Sequence, residues 1–142
     1  MTNVSRTKQH DLTMQTMYAF LILETTNKPL NFEEVLEVVC DTPYADIDIY
    51  VKEVLLQSIK HQREIINIVE PKLNKWTFDR LNTCSQAILI TTCAEYFYMD
   101  LADTDRAILI NNAVKLAKKY GDDKDYRFIN AVLDNILHGR EK

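Results

Sequence analysis

The sequence predicts an all-α protein. Its 46% hydrophobic and 27% charged residues, with two glycines and three prolines among 142, describe a compact soluble chain poor in turns. No glycine or proline interrupts residues 72–120, which suits long helices better than strands joined by tight turns. Apolar residues also recur at helical spacing along most of the chain. A single domain of this length buries roughly 68–70% of the surface its unfolded chain exposes, so it needs no staple to fold.

The first helix is expected from Arg6 to about Glu24, with Met14, Met17, Tyr18, Leu21 and Ile22 on one face. The stretch TTNKPL breaks it. Asn31 with Glu34 three residues on resembles a capping box, and a helix near 32–40 follows, ending at the turn DTP. Asp46 and Asp48 bring negative charge to the positive end of the next helix, whose apolar stripe through Tyr50, Val54, Leu55 and Ile59 runs to about residue 61. REIINIVEPKLNKW gives a shorter helix stopped before Pro71, because the residue preceding proline is disfavoured in the α region.

Helical pattern resumes near Phe78 and continues through QAILITTCAEYFYM. The β-branched Ile88, Ile90, Thr91 and Thr92 would also suit a strand, but the surrounding run without breakers favours a helix. After DLADTD, with Asp103 or Thr104 as cap, a helix from about 105 to 120 turns Ile110, Ala113, Val114 and Ala117 inward and Asn111, Lys115, Lys118 and Lys119 outward. The isolated Gly121 reads as a stop in the left-handed conformation that closes many helices. A last helix near 125–138 buries Phe128, Ile129, Val132, Leu133 and Ile136. The chain is therefore read as one domain, residues 1–142, with an N-terminal half of about 1–70 and a C-terminal half of about 77–139. The segment 71–77 is the boundary. No internal repeat relates the halves, and they form two unequal helical layers.

Nothing in the sequence supports catalysis, and no enzyme is expected. His10, His61 and His138 fall in separate elements without an H-E-x-x-H pattern and read as ordinary surface histidines. Two glycines cannot build a phosphate-cradling loop, and the nucleophile motif G-x-S-x-G is missing. Cys40, Cys84 and Cys93, odd in number and without a C-x-x-C pair, indicate neither a disulfide framework nor a zinc site and read as buried or inert thiols. No cofactor or metal is expected. The opening MTNVSRTKQHDL lacks the apolar segment of a secretion signal, and no apolar run approaches the roughly 18 residues of a membrane span. A cytoplasmic protein without a membrane partner is expected.

The net charge of −4 is mildly repulsive to phosphate, so a nucleic acid would have to meet a local patch. Charge is segregated along the chain. Arg6 and Lys8 stand without an acid in residues 1–10, while Lys115, Lys118, Lys119, Lys124 and Arg127 face Asp122, Asp123 and Asp125 around Gly121. Residues 95–105 hold Glu95, Asp100, Asp103 and Asp105 with no cation. The lysine face admits two readings. It is either a solvated helix flank or, with the loop at Gly121, a cluster of cations and free helix-end amides that suits phosphates. Tyr120, Tyr126 and Phe128 are interleaved with those cations; an exposed aromatic there could stack on an unpaired base, although Phe128 reads better as core.

The segment INNAVKLAKKYGDDKDYRFINAVLDNIL resembles the signature of NusB-type transcription antitermination factors, approximately I-N-E-A-[VI]-E-L-A-K-x-[FY]-G, a short loop, then [KR]-[FY]-[VI]-N-G-[VI]-L-D. The matches include Ile110, Asn111, Ala113, Val114, Leu116, Ala117, Lys118, Tyr120, Gly121, Arg127, Phe128, Ile129, Asn130, Val132, Leu133 and Asp134. Weaker agreement extends through MQTMYAF, ADIDIYVKEVL, WTFDRL and AILITTCAEYF. The sequence departs from the pattern where the arginine-rich opening is reduced to Arg6, Lys8 and His10, where Ile90 replaces an arginine, and where Asn112 and Ala131 replace Glu and Gly. Asp105 stands where a proline is common, and Gln57 or Ser58 where a mid-helix glycine is. These changes touch phosphate contacts more than the apolar framework.

The resemblance implies about seven helices in two packed subdomains. It implies a non-catalytic, RNA-binding antitermination factor that joins NusE, a small-subunit ribosomal protein, on single-stranded boxA-like RNA in the elongation complex during rRNA transcription. Two alternatives remain open: a divergent helical scaffold that pairs with protein but no longer binds RNA, and an accessory domain of an RNA methyltransferase. The expected RNA surface is Arg6, Lys8, Gln9, Lys118, Lys119, Tyr120, Lys124 and Arg127. Glu95, Asp100 and Asp105, with Asp103, Asp46 and Asp48, either guide a basic partner or serve as helix caps and dipole complements.

Overall fold

The computed structural model describes residues 5–74, 76–99, 106–122 and 124–138, apart from the His138 side chain. Seven α-helices fill these residues: α1 (Arg6–Leu23), α2 (Phe32–Cys40), α3 (Ile49–Lys60), α4 (Gln62–Val69), α5 (Thr83–Tyr98), α6 (Arg106–Tyr120) and α7 (Asp125–His138). The all-α bundle expected from the sequence is what forms. The expected caps Asp103 and Thr104 lie outside the described residues.

Short polar side chains start the helices. Ser5 Oγ accepts the Lys8 N–H at 3.1 Å, Asn31 Oδ1 that of Glu34 at 2.9 Å, and Asn82 Oδ1 that of Ser85 at 2.8 Å. Asp48 Oδ1 accepts from Tyr50 at 2.8 Å and Val51 at 3.3 Å. The cap at Asn82 corrects the expected start of α5. Phe78–Arg80 forms only a 3-10 turn, and Leu81 is extended (φ −72°, ψ 150°), so the α-helix begins at Thr83. Phe78 is buried all the same, which is why its apolar character looked helical.

Helix α5 packs against α1, α3, α4, α6 and α7. Its residues from Ala87 to Tyr96 are all buried, so it shows the all-round apolar pattern of a central helix instead of a one-sided stripe. Its β-branched run is helical, and Thr91 Oγ1 satisfies itself by donating to the Ala87 carbonyl at 2.9 Å. Helix α1 lies across α2, α3, α5 and α6. Its buried side includes Thr13, Met14, Thr16, Met17, Phe20 and Leu21, while Tyr18 and Ile22 remain 42% and 43% exposed. The expected face is thus turned. The buried hydroxyls Thr13 and Thr16 are paid for by bonds to the carbonyls of Gln9 and Leu12, both at 2.7 Å, which lets polar residues occupy the inward side.

Gly121 ends α6, but not in the left-handed conformation. Among the described residues the left-handed positions are Asn27 (φ 61°), Asp41 (φ 50°) and Asn74 (φ 59°), residue types that tolerate this region. What Gly121 provides is room. A Cβ there would lie 2.6 Å from Asp125 Oδ2 and 2.9 Å from the Ala117 carbonyl oxygen, and that carbonyl already accepts the Gly121 N–H at 2.8 Å. Gly121→Ala should therefore cost about 1–3 kcal/mol of stability in urea unfolding, since the helix end must shift as well as the carboxylate. An unchanged midpoint would show that both move aside freely.

Candidate nucleic-acid interface

The helix that carries the first basic residues meets the second basic segment through Asp11. This buried carboxylate of α1 accepts from Lys119 Nζ at 2.6 Å, from the Tyr120 hydroxyl at 2.6 Å and from Gln15 Nε2 at 2.7 Å. Gln15 Nε2 also lies 3.1 Å from the Tyr120 hydroxyl. Burial alone would raise the Asp11 carboxyl, but the bonds from Lys119, Tyr120 and Gln15 outweigh it and hold it below the ordinary carboxylate range. The same bond to Asp11 raises Lys119. Residues more than a hundred positions apart are thereby fastened together, and the C-terminal end of α6 is fixed against the N-terminal half of α1. Lys119 remains 59% exposed, so the remaining N–H groups of its ammonium still face solvent.

Beyond the clamp, Tyr126 of α7 gathers two more cations. Lys118 Nζ lies 4.8 Å from its ring centroid and the Arg127 guanidinium carbon 5.7 Å, with Arg127 Nε donating to the Tyr126 hydroxyl at 3.3 Å. Lys118, Lys124 and Arg127 are exposed, whereas Phe128 is half-buried against the core. Three of the amides expected to be free are already bonded. Asp122 N–H donates to Asp125 Oδ2 at 2.8 Å, Asp125 N–H to the Asp122 carbonyl at 3.0 Å, and Gly121 N–H to Ala117. Asp125 itself fills the place an anion would take, so attraction here comes from side-chain cations.

At the other end of the patch, Lys8 is exposed beside a pocket of about 350 Å³ whose walls also carry Asp41, Asp46 and Asp48. Gln9 is turned partly inward and donates from Nε2 to Asp48 Oδ2 at 3.0 Å. Arg6 is exposed but rests over the Tyr50 ring, 3.8 Å from its centroid. His10 is no ordinary surface histidine. Its Nε2 lies 2.7 and 2.9 Å from the two carboxylate oxygens of Glu95, which also accepts from the Tyr50 hydroxyl. Burial, then the charge and hydrogen bond of Glu95, push the Tyr50 phenol upward, so it remains a donor.

At Glu95 the expected partner face is corrected. Glu95 is 3% exposed at the centre of the bundle and cannot meet a partner. A lone acid within an apolar helix must be paired inside the fold, a rule that the sequence reading did not apply. Asp100, Asp103 and Asp105 lie outside the described residues. Asp46 is exposed at the end of a 3-10 turn, and Asp48 caps α3.

The sequence reading also missed a groove. About 840 Å³ of open space lies over Tyr18, Leu21, Ile22, Ile66, Phe78 and Leu81, with Glu24, Glu70 and Asp79 on its walls and no lysine or arginine among the described lining residues. The available signal was the misfit of Tyr18 and Ile22, apolar residues at the flank of a stripe that needed only Met14, Met17 and Leu21. A smaller pocket lined by Met14, Gln15, Tyr18, Val39 and Tyr120 shares Tyr18 with the groove and Gln15 and Tyr120 with the Asp11 clamp.

Residues 7–138 match the model of the NusB family. A transcription antitermination protein NusB from Ligilactobacillus salivarius is 33% identical over 137 residues, covering 95% of this chain and 99% of that protein. Among solved structures, NusB of T. maritima superposes with a TM-score of 0.80 at 20% identity, covering 96% of this chain and 93% of that one. A crystal structure of the antitermination factors NusB and NusE in complex with dsRNA matches with a TM-score of 0.77 at 24% identity, over 94% and 96% of the two chains.

The Asp11 clamp gives a pH-dependent stability. Because its folded value is depressed, the contribution is complete above the ordinary carboxylate range near pH ~4 and is lost as pH falls through the lower folded value. Asp11→Asn should cost about 1–2 kcal/mol at neutral pH, chiefly through the bonds of Tyr120 and Gln15, with the solvent-screened Lys119 adding little. Denaturant melts should show the gap closing as acid protonates the wild type; a gap independent of pH would assign it to packing.

Proposed function

The chain belongs to the NusB family, and we propose that it acts as a transcription antitermination factor, a non-catalytic protein whose output is assembly. It binds single-stranded boxA-like RNA through the cations of α1 and the α6–α7 junction and joins a NusE-type ribosomal protein on the elongation complex in the cytoplasm. The observation that carries the reading is the Asp11 clamp, because it fixes the basic end of α6 to the helix that carries Arg6 and Lys8. Arg6, Lys8, Lys118, Lys124 and Arg127 supply charge, while Lys119 and Tyr120 supply a fixed edge. Gln9, tied to Asp48, orients rather than reaches outward. No described helix is long and apolar enough to cross a membrane.

The partner site is the groove beside Tyr18 and Ile22. An apolar floor with acids, and no cations among the described residues of its walls, fits a basic protein segment with apolar anchors. It replaces the partner surface expected at Glu95.

Affinity for a boxA-like oligonucleotide should fall with rising salt, with a logarithmic slope of about −0.7 per phosphate contact. Reversing charge at Lys118 and Arg127 together should weaken it by roughly tenfold or more and flatten the slope. A flat wild-type salt dependence would sink the phosphate reading and favour a protein-only scaffold.

Ile22→Lys tests the groove separately. Isothermal titration with NusE should show at least a roughly tenfold loss, as a buried apolar contact is replaced by a charge facing basic partner groups. RNA affinity of the protein alone should hold. Unchanged NusE affinity would place the partner elsewhere.

A further inference from the structure

The pocket that shares residues with both the Asp11 clamp and the groove has no occupant in the reading above. It encloses about 400 Å³, within the range of about 300–1,000 Å³ that small-ligand sites span. Its described lining residues, Met14, Gln15, Tyr18, Val39 and Tyr120, carry no charge, whereas Glu24, Glu70 and Asp79 stand on the walls of the groove. Met14 is buried, but Tyr18 and Tyr120 keep 42% and 41% of their surface exposed. Two large rings thus open onto one uncharged cavity.

We propose that this pocket holds one unstacked nucleobase of the bound RNA, a base whose edge carries an amino group, while Lys119 takes an adjoining phosphate. This deepens the RNA reading above and rests on it. Every base has a π-face that can stack on an exposed aromatic ring. The cation stands beside that ring: Lys119 Nζ lies 5.1 Å from the Tyr120 ring centroid, and its ammonium and the Tyr120 hydroxyl share the Asp11 carboxylate. Ring and cation are therefore held in fixed relation, as a nucleotide joins its own base and phosphate.

The polar groups select the edge of the base. A carboxylate only accepts, so the amide nitrogen of Gln15 faces Asp11 Oδ1 at 2.7 Å, and it also lies 3.1 Å from the Tyr120 hydroxyl. Both of its N–H groups are thereby engaged, and Gln15 Oε1 meets no donor among the described residues. The Tyr120 hydroxyl gives its proton to Asp11 at 2.6 Å. What these two side chains still offer a ligand is acceptors. Adenine, cytosine and guanine bring an amino group to them; uracil brings two carbonyls around a single N–H and is disfavoured. A lysine or arginine of a protein partner would find no carboxylate among the described lining residues, and Asp11 already accepts three bonds.

The test is fluorescence anisotropy with a short single-stranded boxA-like RNA in which each nucleotide is made abasic in turn. One position, occupied by an amino-bearing base, should weaken wild-type binding by roughly tenfold when its base is removed. Replacing that base by its analogue without the amino group should cost about threefold. Val39→Phe fills the pocket from α2 and touches none of the clamp residues, and Val39→Glu places a charge in it without the same bulk. Each should weaken the intact RNA by roughly tenfold, abolish the sensitivity to that position and keep the salt slope. Thermal melts accompany both, so that a folding defect in one leaves the other to decide, and the altered RNAs test the wild type with no variant at all. A uridine at the sensitive position overturns the choice of edge and with it the proposal. If no abasic position distinguishes the wild type from the Val39 variants while binding still falls with salt, the pocket takes no base and the RNA reading stands. Intact RNA affinity in both variants with weakened binding of NusE in isothermal titration would assign the pocket to a partner side chain and overturn the proposal. Wild-type binding that does not respond to salt ends the RNA reading itself.

Discussion

The structure depends on the burial of α5 against five other helices. A helix covered so completely can carry no unpaired charge, yet it carries Glu95. The pairing of that acid fixes the rotation of α1, because His10 must face inward to reach it. At about 100° per residue, this rotation places Met14, Met17 and Leu21 in the core and brings Asp11, Gln15, Tyr18 and Ile22 to one flank. The first two of these receive Lys119 and Tyr120 of α6; the last two line the open groove. One buried carboxylate thus determines where both candidate surfaces lie.

Much of this framework was legible in the sequence. Asn31, Asp48 and the breaks at Asp41 and Pro71 announce their helix ends through local chemistry, and α2 and α7 occupy the segments expected for them. Local signals fail where a tertiary contact decides. The spacing of apolar residues on α1 allows a face containing Tyr18 and Ile22, and only the inward pull on His10 selects another. Gly121 looks like a left-handed stop because glycine commonly serves that purpose, but the bulk it avoids belongs to Asp125, four residues later in the chain. Glu95 counts as one more acid in an acidic stretch until its helix is seen to be central.

The charges illustrate the same limit. Counting cations marks Lys118, Lys119, Lys124 and Arg127 alike, whereas the structure gives them different surroundings: Lys119 is bound to a carboxylate, Lys118 and Arg127 share the Tyr126 ring, and Lys124 is exposed on the loop. A cation already held in place loses less freedom on meeting a phosphate than one free to rotate. Lys119 is therefore suited to fix the register of a bound strand, and Lys124 to add long-range attraction.

The common flank of α1 also bears on how RNA and protein partner would influence each other. Gln15 touches Tyr120 at the proposed RNA edge, and together with Tyr18, which also lines the groove, it lines the smaller pocket. Any ligand that orders this flank lowers the ordering cost for the other. The resulting coupling must be reciprocal: if a protein in the groove tightens RNA binding by some factor, RNA tightens binding of that protein by the same factor.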